Sequence, residues 1–150
     1  MDKKNQKMAD EGLLDFASLT DLIGLDELQQ LQDAFAKANQ IAATIVNVKG
    51  ELITRPINHS KVCTLIRKTP RGLENCMLSG QTLGQRALGQ NKPYYGRCHS
   101  VGFIDACAPI VIENVLVANW LIGQNWVGDV DANRIISYAE EIGADKDEML

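Results

Sequence analysis

The order in which two hydrophobic periods follow one another constrains the fold of this chain more than any other feature. Leu28, Leu31, Phe35 and Ala38 recur at helical spacing, and Asp26 followed three residues later by Gln29 suits an N-terminal cap. The β-branched run from Ile41 to Val48 then passes through Lys49-Gly50 into residues 51–54, which predicts two strands joined by a tight turn. Two helices follow. Ser60 caps a short one with Val62, Leu65 and Ile66 on one face, and Thr69-Pro70 starts a longer one running to Gly89. Beyond Pro93 the pattern returns to strands, Tyr94 to His99, Phe103 to Ile112 and Val115 to Ile122, and a last helix from Ala132 to Ile142 stops at Gly143. Neighbouring strands at both ends and helices grouped between them predict an α+β fold. Its core is an antiparallel sheet of about five strands, with helices packed on one face and further helices flanking at the termini.

A chain of 150 residues with 45% hydrophobic and 23% charged side chains has room for one ordinary core. Residues 1–21 carry no repeating apolar face and are expected as a tail or lead-in to a domain spanning 22–143. The formal charge of −4 argues against direct nucleic-acid binding, because phosphate recognition needs a basic face that releases counterions. No run approaches the roughly 18 apolar residues of a spanning helix, and the first residues lack the apolar stretch of a signal peptide. The expected setting is the cytoplasm, with no membrane contact, where the four cysteines are reduced thiols or metal ligands.

The cysteines fall as Cys63, Cys76 and Cys98-His99, with Cys107 further on. Three thiols and an imidazole converging over the sheet would suit zinc or an iron–sulfur cluster, whereas Cys63 and Cys76 on apolar helical faces also suit small buried hydrophobes. Cys98 and His99 make a poor nucleophile and base, since adjacent strand residues point to opposite faces. His99 suits a ligand contact or a satisfied core position equally, and His59 reads as a surface loop residue. Asp105, among apolar strand neighbours, must face water or meet a partner such as Arg97 or a ligand hydroxyl. Gln124, at the end of the last strand, offers an amide to a small polar molecule. Tyr94, Tyr95, Phe103, Trp120 and Trp126 can wall an apolar pocket or simply fill the core. The chain has no phosphate loop, nucleophile elbow or dinucleotide fingerprint, which lowers an enzymatic reading.

Taken together, the Leu28–Phe35 segment, Cys63-x-Leu-Ile-Arg67, Gly72 to Cys76, Pro93 to Cys98-His99, Asp105-Ala-Cys-Ala-Pro-Ile110 and Gly123-Gln124 resemble the PocR sensory domain from about Leu22 to Gly143. The resemblance implies a variant PAS-like fold in prokaryotic signalling proteins, joined to a DNA-binding or histidine-kinase output domain, and sensing simple hydrocarbon derivatives such as propanediol. It also promotes Cys63, Cys76, Cys98, His99, Asp105 and Gln124 to site candidates. At position 107, where the family often has a small or aliphatic residue, this chain has a cysteine.

The resulting expectation is a ligand-sensing domain, not an enzyme. A small organic molecule lies between the central helices and the sheet, touches Tyr95, Cys98, His99, Asp105, Trp120 and Gln124, and shifts the helix from Thr69 to Leu88. Cys63, Cys76, Cys98 and His99 are the alternative metal set, with zinc or an iron–sulfur cluster as cofactor and metal or redox state as the signal. A homodimer and a longer parent chain, in which residues 144–150 begin a linker to the output domain, complete the expectation.

Overall fold

The computed structural model describes residues 16–125, 128, 129 and 131–150. In chain order its elements are α1 (Phe16–Leu22), α2 (Leu25–Asn39), β1 (Ala42–Asn47), α3 (Lys61–Ile66), α4 (Pro70–Gln90), β2 (Tyr94–Arg97), β3 (Ile104–Ile112), β4 (Val115–Asn125), α5 (Ala132–Ile142) and α6 (Lys146–Met149). The caps written in the sequence form as predicted around the central helices. Ser60 accepts the Cys63 N–H at 3.1 Å, Thr69 accepts the Gly72 N–H at 3.1 Å, and Pro70 opens α4, where its missing donor costs nothing. Asp26 is not a cap: α2 begins one residue earlier behind Gly24, which leaves Asp26 in the first turn, where its charge opposes the helix dipole.

The four strands form one antiparallel sheet in the order β1-β4-β3-β2, not the expected five. Residues beyond the Asn47–Gly50 turn form no ladder with β1, only isolated bridges at Val46–Leu52 and Ala43–Ile57. The ladder fails there because the Ile53 and Thr54 amides both converge on the Ile45 carbonyl, at 2.9 and 3.2 Å, while the Ile45 amide is taken by the Thr54 hydroxyl at 2.8 Å. Pro56 then has no N–H to continue the ladder. Gln32, fully buried, and Gln29 tie this segment to α2. The Gln32 side chain accepts the Thr54 hydroxyl and donates to the Arg55 carbonyl, and Gln29 binds both backbone groups of Arg55.

Helices cover both faces of the sheet, a correction to the expected single face. Adjacent residues of β4 show it: Trp120 meets Phe35 of α2 with ring centroids 5.4 Å apart, whereas Leu121 lies under Gly80 of α4. Leu19, Leu28, Ile45, Ile53, Val117 and Ala118 fill the α1 and α2 side. On the other side α4 packs against β3 and β2, and Gly84 allows the close approach because a Cβ there would overlap the Asn119 amide. A further cluster joins Ile66, Val101 and Phe103 to Ile135, Tyr138, Ile142 and Met149. Residues 146–149, expected as the start of a linker, form a short helix whose Met149 is 2% exposed in that cluster. Among the described residues no helix is long and apolar enough to cross a membrane.

Candidate ligand-binding site

The site begins with an irregularity where β3 meets β4. The register steps from Ile104 opposite Asn125 to Asp105 opposite Gly123, so Gln124 is an extra residue, and it adopts a left-handed φ of 68°. Gly123, with φ 144°, has no substitute here: a Cβ would stand 2.6 Å from the Ile104 carbonyl oxygen and 2.9 Å from the Asp105 Cα. This bulge aims two functional groups at once. The Gln124 N–H donates to Asp105 Oδ1 at 2.9 Å, and the Gln124 side-chain oxygen accepts the Ser60 N–H at 2.7 Å, tying the start of α3 to β4.

Between α3, α4 and the sheet lies a cavity of about 60 Å³. One water needs roughly 10–15 Å³ of such space, so the cavity suits a molecule of only a few non-hydrogen atoms. Its apolar wall includes Ile66, Leu83, Val101, Phe103 and Leu121. Its polar groups are His59, Arg67, Ser79, Ser100, Asp105, Gln124 and the thiols of Cys63, Cys76 and Cys98.

Burial governs their chemistry. It pushes the Asp105 carboxyl up to about 6 against the stabilising Gln124 N–H, and the Cys63 thiol up to about 12. Burial also raises Cys76 and Cys98, with Asp105 adding to the rise at Cys98, so all three are protonated thiols at neutral pH and weak nucleophiles. His59 is lowered to about 4 by burial and then by the Arg67 guanidinium, so its imidazole is neutral. Cys107, at about 12 through burial alone, is packed away from the cavity with Leu83, Ala87, Tyr94 and Leu121.

The structure thus gathers Cys63, Cys76, Cys98, Asp105 and Gln124 around one space and leaves three predicted ligand contacts outside it. Tyr95 is 74% exposed on β2 beside Tyr94, and Trp120 faces α2 across the sheet. His99 does not line the cavity; its Nδ1 lies 3.1 Å from the Ser79 hydroxyl, which also accepts the His99 N–H at 2.8 Å. Arg97 donates to the Gly102 carbonyl at 3.0 Å, not to Asp105. Trp126 lies outside the described residues. Among the described residues, no three His, Cys, Asp or Glu side chains gather closely enough to hold a metal ion, so the set Cys63, Cys76, Cys98 and His99 is not assembled as zinc or an iron–sulfur cluster would require.

The residue that sequence reasoning misplaced is His59, read as a surface loop. Its inward position follows from Asn58, which takes a left-handed φ of 56° and donates to the Ile41 carbonyl at 3.1 Å, folding the loop back against the sheet edge. An asparagine directly before the His59-Ser60 cap was the available signal. Arg67, Ser79 and Ser100 were not singled out as site residues either; they sit on elements whose inward faces become visible only once α3 and α4 are docked.

Comparison with known proteins identifies the family. The family model described as a sensory domain found in PocR matches residues 21–150. The chain is 30% identical over 119 residues to the regulatory protein PocR of Salmonella typhimurium, a match covering 79% of this chain and 39% of that protein. No solved structure matches. The chain therefore belongs to the family of sensory domains found in PocR, which points to a sensory and not an enzymatic role, and it spans about two fifths of the length of that relative.

Proposed function

We propose that the domain senses a small organic molecule held in the cavity between α3, α4 and the sheet. The observation that carries this reading is the cavity of about 60 Å³, partly open, where an apolar wall meets a few convergent polar groups, Asp105 and Gln124 foremost. Both are oriented by the β-bulge, which spends backbone strain to aim them. The PAS-like arrangement belongs to the same reading, with α3 and α4 inserted between β1 and β2 as the roof of the cavity.

A ligand moves such a domain only by favouring one of two states. Ile66 lines the cavity and also belongs to the cluster that holds Ile142 and Met149, so a shift of α3 or α4 is felt directly by α5 and α6. In this reading those C-terminal helices pass the signal to an output domain of a regulatory protein. The domain works in the cytoplasm as a homodimer, and the exposed Leu22 of α1 and Leu25 and Leu31 of α2 support such pairing.

The test is a thermal-shift and calorimetric panel of molecules with three to six non-hydrogen atoms: short diols, alcohols, aldehydes, amides and acids, with 1,2-propanediol as reference. A true ligand raises the melting temperature progressively with the logarithm of its concentration, adding about 2.7 kcal/mol of stability at a hundredfold excess over Kd. The effect should be lost in a folded Asp105→Ala variant. No shift from any member of the panel overturns the reading, and stoichiometric metal in anaerobically purified protein that disappears in Cys98→Ser replaces it with the thiol-based alternative.

A further inference from the structure

The cations of this protein are not treated alike. On the surface, Arg71 meets Glu141 at 2.7 Å and Lys146 meets Glu140 at 3.7 Å, exposed pairs of small energetic weight. Arg67, half-buried at the C-terminal end of α3 and lining the cavity, lies within ion-pair distance of no carboxylate among the described residues. Its guanidinium lies near enough to Cys76 to favour the thiolate there, and near enough to His59 to disfavour a second positive charge. A partly desolvated guanidinium with no ion-pair partner is costly to the free protein, and an anion that binds it directly removes the cost.

Asp105 lines the same cavity, fixed by the Gln124 N–H and not within ion-pair distance of Arg67. Arg67 therefore offers a fork of N–H donors that fits a carboxylate, and Asp105 offers a carboxyl suited to a hydroxyl. His59, held neutral, adds a ring that can donate or accept without adding charge. The apolar residues between them leave space for a short carbon skeleton and little more.

We propose that the cavity takes a short 2-hydroxycarboxylate, with its carboxylate on the Arg67 guanidinium and its hydroxyl turned to Asp105, in preference to a neutral diol of the same carbon skeleton. The proposal rests on the reading of the cavity as a small-molecule site and specifies its ligand class.

Lactate and 1,2-propanediol separate the two, because they share three carbons and a C2 hydroxyl and differ only in the carboxylate. Isothermal titration at pH 7 and fixed ionic strength should find either enantiomer of lactate bound at least about 10-fold more tightly than the diol. Arg67→Gln should weaken lactate by about 10- to 100-fold, the range of a charge-assisted hydrogen-bonded pair, while changing diol binding little. Arg67→Lys, which keeps the charge without the fork, should fall between. Circular dichroism of each variant establishes that it is folded, and the lactate-to-diol ratio on the unsubstituted protein tests the proposal independently of any variant. Diol bound as tightly as lactate, or a folded Arg67→Gln that binds lactate unchanged, overturns the carboxylate assignment and leaves the small-molecule reading standing. If neither compound binds, the proposal falls, and the wider panel decides whether the reading beneath it falls too.

Discussion

The two faces of the sheet are made by the same strands and put to different uses. Toward α1 and α2, Ile45, Val117, Ala118 and Trp120 meet Leu19, Leu28 and Phe35 in a continuous apolar layer, and its buried polar residues Gln32 and Thr54 satisfy each other. Toward α3 and α4, Leu121 and Phe103 share their space with a carboxyl, an imidazole, a guanidinium and three thiols around a cavity. Consecutive residues Trp120 and Leu121 serve the two sides, as strand geometry requires. One face holds the sheet rigid, so that the other can carry a void and unpaired charge, both of which cost stability. The lesson is a division of labour across one layer of backbone.

The largest expected effect tests that division directly. Ile45→Ala, at a fully buried position on the packed face, should cost about 2–5 kcal/mol in urea unfolding, and Leu121→Ala should cost clearly less, since its side chain already borders empty space. Equal costs would break the comparison. Gly123→Ala should come next, at about 1–3 kcal/mol, because the new Cβ meets the Ile104 carbonyl and the Asp105 backbone. It should also abolish ligand binding in the same melts, whereas Ile45→Ala should leave binding intact in the fraction that is folded.

The polar face should further reveal itself in pH dependence. The Asp105 carboxyl is raised from 3.8 to about 6, so its contribution to stability is fully present below about pH 4 and is lost as pH rises through 6. His59 is lowered from 6.5 to about 4, so its contribution is present above pH 6.5 and is lost as pH falls through 4. Between pH 4 and 6.5 the two oppose, and the unsubstituted protein should show a nearly flat melting profile there. Asp105→Asn should be more stable by up to about 2 kcal/mol at pH 7, equal below pH 4, and should decline on acidification as His59 alone dictates. A parallel pair of profiles would remove Asp105 from the buried wall. The smallest effect is kinetic: iodoacetamide at pH 7.5 should label Cys63, Cys76 and Cys98 far more slowly in the folded protein than in urea, read by mass spectrometry, because burial keeps them as thiols.

Much of the scaffold was legible before any coordinates. The caps at Ser60 and Thr69-Pro70, the stop at Gly143 and the alternation of periods all depend on residues within a few positions of one another, and they appear where the pattern places them. The fifth strand was misread because the residues after Gly50 have strand character, yet the Thr54 hydroxyl and Pro56 divert the hydrogen bonds that a ladder needs. Of the site candidates, Cys63, Cys76, Cys98, Asp105 and Gln124, promoted by the family resemblance, line one cavity, whereas His99, promoted the same way, does not. Tyr95 and Trp120 were drawn in by residue type, which says nothing about the side of a sheet on which a side chain lies.

By itself, the sequence determined the kind of chain this is: α+β, antiparallel, and belonging to the sensory domains found in PocR, since these follow from local periodicity, caps and motif order. Only the tertiary structure decided that helices cover both faces, that His59 and Arg67 enter the cavity, and that His99 does not. The physical reason is range. Hydrogen-bonded periodicity is set by neighbours along the chain, whereas charge, protonation and the shape of a cavity are set by groups brought together from distant segments, as the Ser60–Gln124 bond across 64 positions shows.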